Sequence, residues 1–368
     1  LFGTRPEAIK LAPLIIRLRS STKISSIVCS TGQHREMLHQ VLEFFGLTLD
    51  YDLNLMKSNQ KLHELTANIL MELEPLFEEV KPDIVIVQGD TTSCFAGALS
   101  AFYNKIKIAH IEAGLRSNNR YSPFPEEINR ILTTHLSDYH FAPTIKARDW
   151  LINEGIDDKR VFVVGNTVID ALLMGLEKIQ GLGPDHFMHN FNEIDFSKRV
   201  ILVTGHRRES FGKPFQDICE ALKKIANEDR VEIVYPVHLN PNVRAPVFSI
   251  LGDKKNIHLI NPVTYQAMVY LMNNAYIILT DSGGIQEEAP SLKKPVLVMR
   301  EVTERTEGIE AGVTKIVGTN IKRIVDETRK LLNNRLYYES MATGQNPYGD
   351  GNSSIRIVEL LENILLED

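Results

Sequence analysis

Short apolar runs rich in β-branched residues recur along this chain, each followed by an amphipathic stretch, and that alternation restricts the fold more than any other feature. "SIVCS", "DIVIVQGD", "KIAHIE", "YHFAP" and "VFVVGN" form a first series, and "VILVTGH", "VEIVYPVH", "IHLINP", "AYIILTDSGG" and "PVLVM" a second. Strands alternating with helices predict an α/β fold of parallel sheets covered by helices. The interval 168–198 separates the two series. It contains a helix expected over Val168–Ile179 and then the Gly/Pro-marked "GLGPDHFMHNFNE", which reads as linker and loop. At 368 residues the chain exceeds the usual size of one core, so two Rossmann-like domains facing a common cleft are expected, over 1–168 and 169–352. The tail "NSSIRIVELLENILLED" opens on Asn and Ser and has helical apolar spacing, so a helix over 353–368 is expected to pack back onto the first domain. The opening "LFGTRPEA" reads as the end of a strand in progress, so residues are expected in front of Leu1.

Composition narrows the function. Forty-one basic against 47 acidic side chains give a net charge of −6, which disfavours a nucleic-acid or membrane-surface face. The three cysteines, Cys29, Cys94 and Cys219, are widely spaced among apolar or small neighbours and read as reduced thiols in or near the core. Their spacing offers no zinc site, and no metal is expected. No apolar run approaches the ~18 residues needed to span a bilayer, and no signal-peptide pattern is present. A cytoplasmic protein is the expectation.

The polar signals fall just after the strands, where open parallel sheets bind ligands. In "TDSGGIQEEAP", Ser282, Gly283 and Gly284 stand where backbone N–H groups at a helix start can cradle phosphate oxygens; a plain turn with Ser as N-cap is the competing reading. Glu287 and Glu288 are placed in the first turn of that helix, one of them within reach of ribose hydroxyls. "GTRPEAIK" is the equivalent turn of the first domain, with Pro6 at the first helical position, Arg5 before it and Lys10 about one turn on. "TGHRRESFGKPF" opens the second domain with His206, Arg207 and Arg208, a lining suited to a diphosphate. Asp90 and Glu112 end adjacent candidate strands, and Glu126 and Glu127 begin a helix after "SPFP". Carboxylates sharing a pocket push their proton affinities apart and furnish an acid and a base. Each can also be read as a helix-start or ion-paired group, with Arg116 or Arg130 as partner, and for Glu127 that reading is preferred. No G-x-G-x-x-G or P-loop signature is present, so no nicotinamide cofactor is expected.

The ordered motifs "FGTRPEAIKLAPL", "QGDTTS", "HIEAGLRS", "YSPFPEEINR", "VVGNTVIDAL", "VTGHRRESFG", "YPVHLNP", "LTDSGGIQEEAPSL" and "TERTEGIEAG" run through nearly the whole chain. Together they resemble the non-hydrolysing UDP-N-acetylglucosamine 2-epimerases. The resemblance implies a GT-B fold, a homodimer, no cofactor, and reversible conversion of UDP-N-acetylglucosamine to UDP-N-acetylmannosamine for surface polysaccharides or related amino-sugar pathways. It also implies the chemistry: loss of UDP from C1 acidifies the C2 proton, elimination gives 2-acetamidoglucal and UDP, and re-addition with protonation on the other face inverts C2.

Carried over by position, Asp90, Glu112 and Glu126 match the family's catalytic carboxylates and His206 its diphosphate-assisting histidine. Arg5, Lys10, Arg130, Ser282, Gly283, Gly284 and Glu288 form the implied substrate-binding set. Gln33, Arg207 and His238 match contacts of a second, activating UDP-N-acetylglucosamine in some bacterial members. Glu36 and Asn59 depart from that regulated pattern, which carries Gln and Arg there. Three alternatives stay open at this stage: a hydrolysing epimerase, a GT-B glycosyltransferase and a catalytically silent nucleotide-sugar sensor.

Overall fold

The computed structural model describes the chain except residues 33–34, 58–59, 184, 189–190, 229 and 367–368, and omits the side chains of 35–37, 185 and 188. The chain divides into two compact units, Leu1–Leu173 with Tyr348–Asp368, and Met174–Pro347.

The first unit begins with α1 (Arg5–Ser20), β1 (Cys29–Ser30), α2 (Arg35–Phe45), β2 (Tyr51–Asp52) and α3 (Leu62–Val80). It continues through β3 (Ile84–Gln88), α4 (Thr92–Tyr103), β4 (Lys107–Ile111), α5 (Glu126–Leu136), β5 (Tyr139–Ala142), α6 (Ile145–Asn153) and β6 (Val161–Val163), and ends within α7 (Thr167–Gly181), whose residues from Met174 on belong to the second unit. Strands β3-β4-β5-β6 form a parallel sheet in sequence order, and β1 pairs parallel with β2. Ile69, Leu73, Leu76 and Phe77 of α3 pack with Val85 and Val87 of β3 and the small residues Ala96, Ala98 and Ala101 of α4. The small side chains let α4 lie close on the sheet, which holds the β3-to-α4 turn in place.

The second unit contains α8 (Asp185–Met188), β7 (Arg199–Thr204), α9 (Lys213–Ile225), β8 (Val231–Pro236), α10 (Pro241–Leu251), β9 (Ile257–Ile260) and α11 (Tyr265–Asn274). After these come β10 (Ile277–Thr280), α12 (Gly283–Glu288), β11 (Val296–Val298), α13 (Thr306–Glu310), β12 (Thr314–Ile316), α14 (Ile321–Asn333) and α15 (Arg335–Ala342). Its six parallel strands run β12-β11-β10-β7-β8-β9. The order reverses between β7 and β10, which makes their carboxyl ends a topological switch point, the place where open sheets of this kind take ligands.

The final helix, α16 (Ser353–Leu366), belongs to the first unit. Buried Asp170 of α7 receives the Ser353 and Ser354 N–H groups at 3.2 and 2.7 Å, satisfying two donors that the helix start leaves open. Further along, Glu362 of α16 accepts from the Ser21 hydroxyl and pairs with Lys23 just past α1.

The α/β class, the two parallel sheets and the helix after residue 166 agree with expectation. Three local readings are corrected. The stretch read as linker and loop carries the short helix α8, and α1 starts at Arg5 with Pro6 one position inside it. Glu287 and Glu288 lie in the last turn of a six-residue helix, since Ser282 is its N-cap; the dipole argument for their placement fails. All three cysteines are buried free thiols.

Candidate active site

In the first unit the site grows from the register of β3 and β4. Gln88 lies opposite Ile111, and the Gly89 N–H donates to the Ile111 carbonyl at 3.0 Å, so the residues that follow, Asp90 and Glu112, emerge from adjacent strand ends. Gly89 holds a φ of +73°, a turn that a side chain would strain. Glu112 itself stands at φ +64°, uncommon for a residue with a Cβ. It is nonetheless buried and well held: Lys10 Nζ and Gln88 Nε2 both donate to its Oε2, and Asn166 Nδ2 lies 3.5 Å from Oε1. The helical register of α1 thus brings Lys10 onto a carboxylate more than a hundred residues away.

Asp90 is fixed from several directions. Arg130 Nη2 donates to its carboxylate at 2.7 Å, and Asn129 Nδ2 to its backbone carbonyl at 3.0 Å. Buried His110 Nε2 meets the carbonyl of neighbouring Gly89 at 2.7 Å. Burial pushes the Asp90 carboxyl above its usual range; Arg130 opposes this, Glu112 adds to it, Lys10 opposes and Glu126 adds a little. A carboxylate whose proton affinity is raised toward neutrality is a better base. Burial likewise drives His110 down to about 4, so it stands as a neutral donor at neutral pH.

Glu126 opens α5 half-buried, and its Oε2 is shielded from solvent without a hydrogen-bond partner. Its neighbour Glu127 behaves differently. It is buried, accepts the Ser117 and Asn118 N–H groups at about 3 Å, and pairs with Arg130 at 3.5 Å. That is the structural role preferred for it from sequence. Arg116 pairs instead with Glu154, at 2.6 Å.

In the second unit the switch point is organised by Asp281, which sequence reasoning passed over. Thr280 lies opposite Thr204 in the ladder, and their hydroxyls meet at 2.6 Å. The next residue, Asp281, is buried and accepts the backbone N–H groups of His206 and Arg207 on one oxygen, at 2.6 and 2.7 Å. Its other oxygen stands 3.6 Å from His206 Nδ1. The His206 ring is 43% exposed and stacks on His238, with centroids 5.3 Å apart and planes 12° from parallel. Burial lowers the affinity of His206 for a proton; Asp281 acts against this, while His238 and Arg207 reinforce it.

Ser282 stands at the N-cap position of α12 without a side-chain capping bond, and its own N–H is tied to the Thr280 hydroxyl at 2.9 Å. A Cβ on Gly283 would sit 3.1 Å from the Arg305 guanidinium, and one on Gly284 would sit 3.5 Å from Glu288 Oε2. Gly283 therefore keeps side-chain bulk off a turn that the Arg305 guanidinium approaches closely, whereas at Gly284 a Cβ would make only ordinary contact. Arg305 donates to buried Glu287 at 2.8 Å, so Glu287 is occupied within the protein, and Glu288 is buried beside it. Arg305 lies in "TERTEGIEAG"; nothing local to that motif signals its approach to Gly283.

The structure therefore gathers Asp90, Glu112, Glu126, Lys10 and Arg130 in the first unit, with Arg5 at the head of α1, and His206, Arg207, His238, Ser282, Gly283, Gly284 and Glu288 in the second. Gln33 and Asn59 lie outside the described residues, and so does the side chain of Glu36. Among the described residues, no helix is long and apolar enough to cross a membrane.

The family profile for "UDP-N-acetylglucosamine 2-epimerase" matches residues 16–362. A curated UDP-N-acetylglucosamine 2-epimerase of Escherichia coli K12 is 53% identical over 366 residues, covering 99% of this chain and 97% of that protein. Among solved structures, the UDP-GlcNAc 2-epimerase of Neisseria meningitidis bound to UDP-GlcNAc superposes with a TM-score of 0.91 at 51% identity, over 98% of both chains. The enzyme of Methanocaldococcus jannaschii in complex with UDP-GlcNAc and UDP gives 0.81 at 38% identity, again over 98% of both chains.

Proposed function

We propose, from the premise that the chain belongs to the UDP-N-acetylglucosamine 2-epimerase family, that it interconverts UDP-N-acetylglucosamine and UDP-N-acetylmannosamine by eliminating UDP and adding it back. The carrying observation is the pair of carboxylates, Asp90 and Glu112, on adjacent strand ends beside Glu126, each of the pair held by a cation, Arg130 or Lys10. Binding a nucleotide sugar does not require three acids, whereas moving a proton on and off two faces of one carbon needs a proton carrier on each face, which a cluster of carboxylates supplies.

In this reading a carboxylate takes the C2 proton as the C1–oxygen bond breaks. The electron pair of the C–H bond becomes the C1=C2 double bond of 2-acetamidoglucal, and UDP departs with the pair of the C1–oxygen bond. Re-addition of UDP at C1, with a proton delivered to the opposite face of C2, completes the inversion. His206, on the turn that Asp281 fixes, assists the departing diphosphate; Arg5, Lys10 and Arg130 supply further positive potential. The turn of Ser282, Gly283 and Gly284 offers the Gly283 and Gly284 N–H groups and the Ser282 hydroxyl to phosphate oxygens, and Glu288 accepts from the ribose. Gln33, Arg207 and His238 are the contacts for a second, activating substrate molecule. The acting unit is a cytoplasmic homodimer serving surface-polysaccharide synthesis.

The test is the product. Incubated with UDP-N-acetylglucosamine and resolved by anion-exchange chromatography with mass detection, the protein should yield a second nucleotide sugar of identical mass. The same mixture should form when the reaction starts from that product. Free N-acetylmannosamine with stoichiometric UDP would indicate hydrolysis and overturn the re-addition step.

A further inference from the structure

Glu7 is a titratable group with no part in the proton transfers just described, yet it is among the least exposed carboxylates in the protein, 1% accessible. One oxygen accepts the backbone N–H groups of Gly3 and Thr4, at 3.0 and 2.7 Å, at the head of α1. The other accepts the Thr91 hydroxyl at 2.6 Å. Thr91 is the N-cap of α4 and follows Asp90 directly, and its oxygen already receives the Cys94 N–H at 3.0 Å. The hydroxyl has one proton, and Glu7 takes it. A single buried carboxylate thus joins the turn that carries Asp90 to the turn that begins α1, and α1 carries Arg5 and Lys10, the partner of Glu112.

We propose that Glu7 is a positioning residue for the reaction, setting the Asp90 turn against the helix that presents Lys10 to Glu112. This rests on the epimerase reading. The physical argument is one of acceptors. Three donors converge on Glu7, and only a carboxylate offers acceptors on both oxygens. In Glu7→Gln one end becomes an NH₂ group. Turned toward Gly3 and Thr4, it faces two donors; turned toward Thr91, it forces the hydroxyl to give up its proton's acceptor. Either way one turn moves relative to the other, and reacting groups displaced by a fraction of an ångström lose rate far more than binding.

The experiment measures kcat per UDP-binding site, counted by calorimetric titration with UDP, for the full chain and three variants. Glu7→Gln should lower kcat per site about 10–100-fold, with KM and UDP affinity within a few-fold of the parent. Thr91→Val, nearly the same shape without the hydroxyl, should show a comparable loss, and it leaves the Gly3 and Thr4 bonds intact should Glu7→Gln fail to fold. Thr91→Ser should recover most of what Thr91→Val loses. The double variant Glu7→Gln/Thr91→Val should be no slower than the slower single, as expected for two ends of one bond. Kcat per site within twofold of the parent in Thr91→Val, or fully multiplicative losses in the double variant, would overturn the proposal. A parent protein without epimerase turnover would instead remove the reaction on which the proposal rests.

Discussion

Asp90→Asn is expected to lower turnover of UDP-N-acetylglucosamine by about 10²–10⁴-fold, the usual contribution of a positioned acid or base, while UDP affinity stays within a few-fold. The substitution keeps size and one acceptor oxygen for Arg130, exchanges the other oxygen for an NH₂ donor, and removes the charge and the capacity to carry a proton. Its effect on stability should run the other way. Burial outweighs the pull of Arg130 and raises the folded-state pKa of Asp90 above its ordinary value of 3.8. The stability linked to this group is therefore fully present below that ordinary value and is lost as pH rises through the raised one. At neutral pH the ionised carboxylate is a burden on the fold, so Asp90→Asn should melt no lower than the parent, and its advantage should shrink as pH falls. Arg130 keeps Glu127 as a partner in the variant. A steep loss of melting temperature at neutral pH would contradict this account of Asp90, and undiminished kcat would remove it from the mechanism.

Glu112→Gln should cost turnover on the same scale, about 10²–10⁴-fold, but with the opposite stability signature. Glu112 receives Lys10 and Gln88 on one oxygen in a buried setting. With glutamine there, Lys10 keeps its charge and loses the charge of Glu112 beside it, and one amide must face a donor. A hydrogen bond to a charged group contributes about 1.5–3 kcal/mol, so thermal or denaturant unfolding should show a loss of that order. Glutamine and glutamate meet the same backbone demand at φ +64°, so the comparison reads the change from carboxylate to amide. Equal melting temperatures for parent and variant would show that the Lys10 pair contributes nothing to the fold. Measured together, the two variants separate a carboxylate that burdens the fold from one that supports it.

The strand ends and turns of both units were legible in the sequence because their signals are local: β-branched runs followed by Gly, Ser, Asp or Pro at a helix start. Asp90 beside Glu112 followed from two consecutive candidate strands, and the register of β3 with β4 shows why they adjoin. What escaped were the partners joined by folding alone. Lys10 reaches Glu112 across 102 positions, Asp281 receives His206 and Arg207 across about 75, and Glu7 receives Thr91 across 84. No periodicity or spacing rule connects such residues. Glu287 and Glu288 were misplaced for another reason. Counted from the Ser282 N-cap they are the last two of the six residues of α12 and fall past its first turn, a helix start that the glycines did not fix to the residue. Asp281 sat inside a quoted motif, but the glycines beside it carried the reading, whereas in the structure the aspartate fixes the opposite turn.

The central claim is that C2 is inverted through loss and return of its proton, and proton NMR of UDP-N-acetylglucosamine turned over in deuterated water tests it most directly. The account predicts that the C2 hydrogen signal of the sugar disappears as solvent deuterium enters both the substrate and its epimer, and that Asp90→Asn suppresses this exchange along with turnover. An epimer that forms while still carrying the original C2 hydrogen would contradict it.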